Sequence, residues 1–520
     1  MIYDGSFSDP YVSNIAISGD KIRFISTSKI KDAVNTIDAK GLAVSPGFID
    51  THAHSDFTIV ADHRAEGKIF QGITTEINGN CGLSAAPLYN KAFERREEDL
   101  KELDIKERWN TLQEYFKVVE KRGIAVNFAT LVGHGNIRGS VIGYDDRPPS
   151  SRELSEMSDL IFESIEQGAI GLSTGLIYPP GTYSKTEELI TLSKPLKDSG
   201  LIYTSHMRSE GTMLLEAIQE VIRIGREAGI KVHISHLKTA GEQNWHKADK
   251  VISLFDDIIK SGLKLTCDRY PYTASSTDLD SILPSWVFEG GNEAEISRLQ
   301  NEKEREKIRN EMNKKIAPED YREKIVVSSV ISEKNRWMEG NTIKAISNKL
   351  NLNEVDTVFR ILIEERLRVG AIFRSMSEEN LRKFLSMPAC MIGSDSSARC
   401  FDGITKKGKP HPRGFGTFPR FLGKYTREEK LMALSYAIHK TSMLPAMTFG
   451  LKKRGQIKEG MFADIVIFDP EKIADCATFE NPFQKPEGIY YVLVNGVPAV
   501  REGKFTGSLA GRILKSHHKI

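Results

Sequence analysis

Between residues 43 and 394 the chain alternates short apolar, β-branched runs with longer amphipathic stretches, and few folds accept that pattern. The strand-like runs are Ala43–Asp50, Thr74–Asn78, Ala125–Val132, Ala169–Ser173, Leu201–Ser205, Lys231–Ser235, Lys264–Asp268 and Ala389–Ser394. Between most of them, apolar residues return at every third or fourth position, as in Glu153–Glu166, Leu214–Ala228 and Lys247–Lys260, which is helical periodicity. Eight strands, most followed by a helix, predict an α/β protein whose main body, 46–449, is a (β/α)8 TIM-type barrel.

The interval between the seventh and eighth runs is too long for a plain crossover. It carries charged helical stretches, Ala294–Lys315 and the shorter Ser377–Leu385, so a helical insertion is predicted over 280–387, read as a lid over the barrel mouth. The charge run Asn301–Lys315 reads as a solvated helix face. Both chain ends look β-rich. Asn14–Ser18, Lys21–Ser26 and Ala33–Asp38 are strand-like near the start, and Ala463–Phe468 and Tyr490–Asn495 near the end. Neither end is large enough to fold alone, so 1–45 and 450–515 are expected to pair into one small β-sandwich domain.

The charge balance narrows the partners. Seventy-two basic residues against seventy acidic ones leave +2, which argues against a nucleic acid or an anionic membrane, since either favours a basic surplus. No apolar run approaches the ~20 residues of a membrane span. Met1-Ile-Tyr-Asp-Gly has neither a basic region nor an apolar stretch, so no secretory signal is expected. The five cysteines stand apart, at Cys81, Cys267, Cys390, Cys400 and Cys476, which fits a reducing, cytoplasmic setting with one functional thiolate rather than a disulfide scaffold.

Metal-binding residue types then recur where a barrel keeps its active site, at the C-terminal ends of strands. The first run leads into His52-Ala-His54, a spacing that puts both imidazoles on one strand face, able to share one metal ion. Cys81 follows the second run, His206 ends the fifth, His236 the sixth and Asp395 the eighth. A single strand-end histidine is ordinarily a hydrogen-bonding residue, and a single cysteine a small buried hydrophobe. That ordinary reading would have to hold five times over to explain the set.

The constellation resembles the metal-dependent amidohydrolase superfamily and, more narrowly, the D-aminoacylases (N-acyl-D-amino-acid deacylases). The resemblance rests on blocks spread over most of the barrel region: Gly47–Asp56 (GFIDTHAHSD), Gln71–Pro87 (QGITTEINGNCGLSAAP), Gly133–Arg138 (GHGNIR), Gly171–Gly181 (GLSTGLIYPPG), Tyr270–Ser276 (YPYTASS) and His411–Arg420 (HPRGFGTFPR). Many superfamily members bridge two metals with a carboxylated lysine after strand 4. Gly168–Thr174 has no lysine, and Cys81 matches the bridging cysteine of D-aminoacylases.

The resemblance implies a tightly bound Zn²⁺ at Cys81, His206 and His236, and a second, weakly bound metal at His52, His54 and Asp395 with Cys81 shared. It also implies that Asp395 is the catalytic acid–base group and that Arg413 binds the substrate α-carboxylate. Tyr270, Tyr272 and Ser276 follow the seventh run, where a hydroxyl is expected to help bind substrate, with packing at the barrel top as the alternative for the tyrosines. The expected reaction is zinc-dependent hydrolysis of a small-molecule N-acyl-D-amino acid. The alternatives are a cyclic-amide hydrolase of dihydroorotase or hydantoinase type, which normally carries the missing lysine, and a catalytically silent barrel scaffold. Of the other histidines, His134 reads as a support to the site, and His233 as facing away from it. His63, His246, His439, His517 and His518 read as structural or surface residues.

Overall fold

The computed structural model describes residues 1–30, 33–197, 199–315 and 323–516. Its centre is α/β. Eight parallel strands follow in chain order: β1 Phe48–Asp50, β2 Ile73–Asn78, β3 Asn127–Thr130 with its continuation Val132–Gly133, β4 Gly171–Gly175, β5 Ile202–His206, β6 Lys231–Ile234, β7 Leu265–Arg269 and β8 Cys390–Ile392. Each pairs with the next in sequence. Ladder contact between first and last is a single parallel bridge, Ala53↔Ser396. β3 is interrupted at Leu131, whose N–H turns to the carbonyl of Asn78 on β2. Every residue of β2 and β4 is buried, as on strands covered on both faces, although Thr74, Thr75, Glu76, Ser173 and Thr174 are polar.

The helices between the strands follow from periodicity and capping. Leu214–Ala228 buries Leu214, Ala217, Ile218, Val221, Ile222 and Gly225 along one stripe and ends at Gly229, which takes the left-handed conformation (φ 70°). Ser151–Glu166 opens on a capping box, Ser150 with Glu153, and buries Met157, Ile161 and Ile165.

Two regions depart from the sequence reading. The segment between β7 and β8 is not only helical. Ala274–Asp278, Ile325–Ser329 and Gly370–Arg374 form an antiparallel sheet. The helices Asn292–Gln300, Glu302–Lys315, Ile343–Leu350 and Glu354–Glu364 accompany it. The segment has its own core, including Leu279, Val287, Ile308, Val327, Val358 and Leu362. Its charged helices mask the short β-branched runs between them. The helix predicted at Ser377–Leu385 spans Glu378–Ser386 and packs against β8, so it belongs to the last crossover rather than to the insertion.

The second departure is Ala33–Asp38, which is not a strand. Val34 is 95% exposed, and only Ile37 pairs any apolar surface with the neighbouring core, so alternation there has no sheet to join. The other end strands form as predicted. Asn14–Ser18 pairs with Lys21–Ser26, and Ala43–Pro46 joins a sheet with Ile465–Phe468, Ile489–Val494, Val497–Arg501 and Lys504–Phe505. Ile2, Ile22 and Val44 share one core with Ile457, Ile465, Ile467 and Leu493. Among the described residues, no helix is long and apolar enough to cross a membrane.

Candidate metal centre

The strand ends carry His52, His54, Cys81, His206, His236 and Asp395 to one place. His52, His54 and Cys81 form one group of three potential ligands, Cys81, His206 and His236 a second, and His52, His236 and Asp395 a third, with ligand atoms in each within 4.8 Å of one another. Cys81 joins the first two groups: its Sγ lies 3.3 Å from His52 Nε2 and 3.5 Å from His236 Nε2.

Three of these residues sit on left-handed backbone, Cys81 at φ 54°, His236 at 37° and Asp395 at 49°. For residues with a β-carbon this costs on the order of 1–3 kcal/mol each and persists only where the surroundings enforce it. Around Cys81 the enforcement comes from glycines. A β-carbon on Gly79 would lie 2.1 Å from the Leu131 carbonyl oxygen, and one on Gly82 2.7 Å from the Gly175 nitrogen, so only glycine lets the loop pack against β3 and β4.

The donor set fits a zinc ion. His206 is buried, yet neither of its ring nitrogens has a hydrogen-bond partner. Two such orphaned atoms would cost about 1–3 kcal/mol each unless a ligand satisfies them. Burial opposes ionisation of the Cys81 thiol, but the charges of His52 and His236 and the hydrogen bond with His236 outweigh it and hold the pKa well below the ordinary thiol value. A thiolate with two imidazoles is a zinc donor set that leaves a coordination position open.

A carboxylate that the sequence reading overlooked braces these ligands. Asp268, at the end of β7, accepts the His236 backbone N–H through Oδ1 at 2.6 Å. Its Oδ2 lies 3.3 Å from His52 Nδ1 and 2.8 Å from His233 Nε2. Burial would raise its pKa, and the imidazoles of His52 and His233 hold it far below the carboxylate range instead. The signal available in sequence was an acid at the end of the seventh strand-like run.

His233 therefore does not face away from the site. It lies on β6 and is fully buried, its ring held between Thr266 and Asp268. The chain leaves the strand after Ile234 and turns back at His236, so strand alternation does not relate the two histidines. Glu210 was also unforeseen. Its Oε1 is 2.8 Å from His236 Nδ1, and it pairs with Lys238. Burial opposes its charge, and Lys238 with His236 holds its pKa well below the usual value.

Asp395 lies at the junction of the ligands and the remaining polar groups. Its Oδ1 is 3.3 Å from His54 Nε2 and 3.7 Å from His52 Nε2, and its Oδ2 is 2.8 Å from Arg413 Nη1. That last contact is an ion pair off the hydrogen-bonding direction, since no acceptor meets Nη1 along its N–H bonds. Burial opposes the Asp395 charge, but Arg413 and the histidines hold the carboxyl well below its ordinary range.

Arg413 donates from Nη2 to the Ser276 carbonyl at 3.1 Å and lies over the Tyr270 ring, 4.6 Å from its centroid. Its backbone N–H donates to His411 Nδ1 at 3.0 Å, and His411 Nε2 faces the Ala274 carbonyl at 2.9 Å, which assigns the proton to Nε2. The Tyr270 hydroxyl is buried without a partner. Tyr272 does not join this group: its hydroxyl points to Asp475, 3.3 Å away, and Arg420 covers its ring. Tyr178, unforeseen, stands edge-on to His206 at 5.0 Å with its hydroxyl 2.9 Å from Thr277 Oγ1.

His134 is fully buried against Glu188, which Arg138 also grips, and this pair forms a cluster of its own. His63, His246 and His439 are not among the grouped ligands. His517 and His518 lie outside the described residues. β4 carries no lysine, and its Thr174 hydroxyl is engaged with Tyr203 at 2.8 Å.

A family model described as "Amidohydrolase family" matches residues 35–500. This chain belongs to that family. Within it, the amidohydrolase is 34% identical to a D-aminoacylase of Alcaligenes xylosoxydans xylosoxydans over 99% of this chain and 96% of the relative. Two further relatives from that organism are each 31% identical. An N-acyl-D-aspartate deacylase aligns over 98% of this chain and 92% of its own length, and an N-acyl-D-glutamate deacylase over 100% and 96%. A crystal structure of D-aminoacylase superposes with TM-score 0.83 at 32% identity, covering 99% of this chain and 98% of that one. The N-acyl-D-glutamate deacylase of Bordetella bronchiseptica, solved with zinc and a phosphonate mimic of the tetrahedral intermediate, superposes with TM-score 0.83 at 30% identity over 99% and 98%. The amidohydrolase therefore falls among the D-aminoacylases.

Proposed function

We propose that this amidohydrolase cleaves the amide bond of N-acyl-D-amino acids, releasing a carboxylate and a free D-amino acid. The observation that carries this reading is the buried Cys81 sulfur shared between two histidine groups, with both nitrogens of His206 left for a metal. Cys81, His206 and His236 would hold the tightly bound zinc, and His52, His54 and Asp395, sharing Cys81, a weaker second metal. Zinc bound there supplies Lewis acidity and a water whose pKa falls from about 15.7 toward about 7.

The chain's own groups do the rest. Asp395 takes the proton released from the water on its carboxylate and returns it to the departing amine. Arg413, set on the Tyr270 ring and aligned through His411, presents a planar cation to the substrate α-carboxylate, with Ser276 at its side. The Tyr272 hydroxyl, turned to Asp475, leaves that residue a packing role. The preference for D substrates rests on the three relatives, each named for a D-amino acid or its derivative.

The fold supports the same reading. Eight parallel strands paired in sequence order, with the first bridged to the last, read as a closed (β/α)8 barrel with the ligands at its C-terminal mouth. The chain ends read as one small β domain beside it. The insertion between β7 and β8 reads as a cover for the mouth, since its first strand supplies Ser276 to Arg413 and Thr277 to Tyr178. Five free cysteines support a reducing, cytoplasmic setting.

The test is a panel of N-acetyl-D- and N-acetyl-L-amino acids, with hydantoin and dihydropyrimidine as competitors, assayed with added zinc and with metal analysis of the purified chain. Turnover of D substrates supports the proposal. Turnover of the cyclic amides alone moves the activity to that class, and a metal-free chain inert with added zinc leaves a scaffold.

A further inference from the structure

Beneath the metal centre lies a second charged cluster that the reaction does not use. β1 and β2 are paired so that Asp50 stands opposite Glu76, two carboxylates side by side. Neither is exposed, and neither is Lys68, which comes between them from the short helix Glu66–Ile69. Lys68 Nζ donates at 2.8 Å to Asp50 Oδ2, at 2.8 Å to Ser394 Oγ and at 2.8 Å to the Ser396 carbonyl, and it stands 3.0 Å from Glu76 Oε1.

The residues tied to this ammonium surround Asp395. Ser394 and Ser396 are its chain neighbours, and Asp395 itself is on left-handed backbone at φ 49°. Asp50 Oδ1 accepts the Ser394 N–H at 2.7 Å and the His52 N–H at 3.2 Å. The Ser396 carbonyl that takes Lys68 also takes the His54 N–H at 3.1 Å. The helix bearing Lys68 is itself fixed to the same region. Gly67 donates to the Arg399 carbonyl at 2.8 Å, and Gln71 donates to Gly414, beside Arg413, at 2.9 Å. Lys68 forms no hydrogen bond or ion pair with Cys81, His206 or His236, and His236 is braced instead by Asp268 and Glu210.

We infer that Lys68 is a positioning residue that holds Asp395, His52 and His54 in place, and with them the second metal site and the proton-transfer group, while leaving the Cys81–His206–His236 site alone. The inference rests on the reading of the two sites given above. A buried cation bonded on both sides of a strained residue over-determines that residue's conformation, which is how left-handed backbone outside glycine persists. A groove-lining or purely stabilising lysine would not distinguish one metal site from the other.

The test replaces Lys68 by Met in the full chain, with Ser394→Ala as a milder change that removes only the hydroxyl shared by Lys68 and Asp50. Zinc is titrated into chelated protein by calorimetry, which reads the sites without activity. The first equivalent should bind as in the wild type, and the second should weaken by about 10–100-fold, the range for groups that orient metal ligands. With N-acetyl-D-amino acids, kcat should fall by about the same factor while KM moves little. In an Asp395→Asn background the Lys68 change should add almost nothing to the loss of kcat, because its effect on proton transfer runs through Asp395.

A folded Lys68→Met protein that binds both equivalents normally, or that loses the first along with the second, overturns the inference, as does a kcat effect that multiplies with Asp395→Asn. Should Lys68→Met fail to fold, Ser394→Ala decides on the same measurements, with a smaller loss confined to the second site. A wild type that cleaves no N-acyl-D-amino acid would sink the proposed function, while the zinc titrations would still judge Lys68.

Discussion

Asp268 offers a test that separates two bonds made by one side chain. Its Oδ1 holds the His236 N–H at 2.6 Å, and its Oδ2 faces His52 Nδ1 at 3.3 Å and His233 Nε2 at 2.8 Å. Asp268→Asn keeps a carbonyl oxygen for His236 but sets an N–H₂ against two imidazole nitrogens. A ring that had donated its proton there must change tautomer, and for His52 that moves the proton to Nε2, the nitrogen that faces Cys81. Asp268→Ala removes both functions and leaves the His236 N–H buried and unpaired, at about 1–3 kcal/mol. At 1.4 kcal/mol per decade that is about 5- to 150-fold weaker zinc at the tight site. The Asn variant is expected to retain the first zinc, measured by competition with a chromophoric chelator, while losing about 10–100-fold in second-site affinity. The Ala variant should lose affinity at both. An Ala variant that folds and holds its first zinc like the wild type would refute the reasoning, and so would an Asn variant that loses as much of it as Ala does.

Three other perturbations address the proposed roles directly. Cys81→Ser should fold normally by circular dichroism yet lose most bound zinc by elemental analysis and nearly all activity, since Cys81 supplies the thiolate shared by both ligand groups. Asp395→Asn should keep the tight zinc and lower kcat by about 10²–10⁴-fold in steady-state assays, the usual share of an acid–base group. Arg413→Lys keeps the charge but loses the fork, so kcat/KM for N-acyl-D-amino acids should fall by about 10–100-fold, corresponding to about 1.5–3 kcal/mol for a charge-assisted bond. It should also narrow the wild type's preference for free acids over their methyl esters; a wild type indifferent to esterification would remove the carboxylate-binding role.

The ligands were legible because each stands where a strand stops, and strand ends can be read from apolar runs. Their supports were not, for reasons that differ residue by residue. Asp268 looks like the last polar residue of a strand, and its work comes from the neighbouring strand's His233, the His236 N–H beyond it and the loop's His52. The facing of His233 was misread because alternation was carried past Ile234, where the strand ends. In the insertion, Ile325–Ser329 and Gly370–Arg374 are short and lie among strongly charged helices, so their pairing with Ala274–Asp278 depends on contacts far apart in sequence. Ala33–Asp38 failed in the opposite way, with the right alternation and no sheet beside it.

Lys68 shows how far the inference could have been carried with one more piece of information. In sequence it is a lysine in a glycine-containing stretch, which ordinarily means surface. The pairing of β1 with β2 changes that, because it sets Asp50 opposite Glu76 with every residue of both strands buried. Like charges directly opposite in a sheet repel, and without water the repulsion is strong. A cation entering from a segment close to both strands removes that repulsion. The connection between them is the shortest route, and its charged residues nearest β2 are Glu66 and Lys68. Strand register, more than any motif, is what turns an ordinary lysine into a residue with a necessary place.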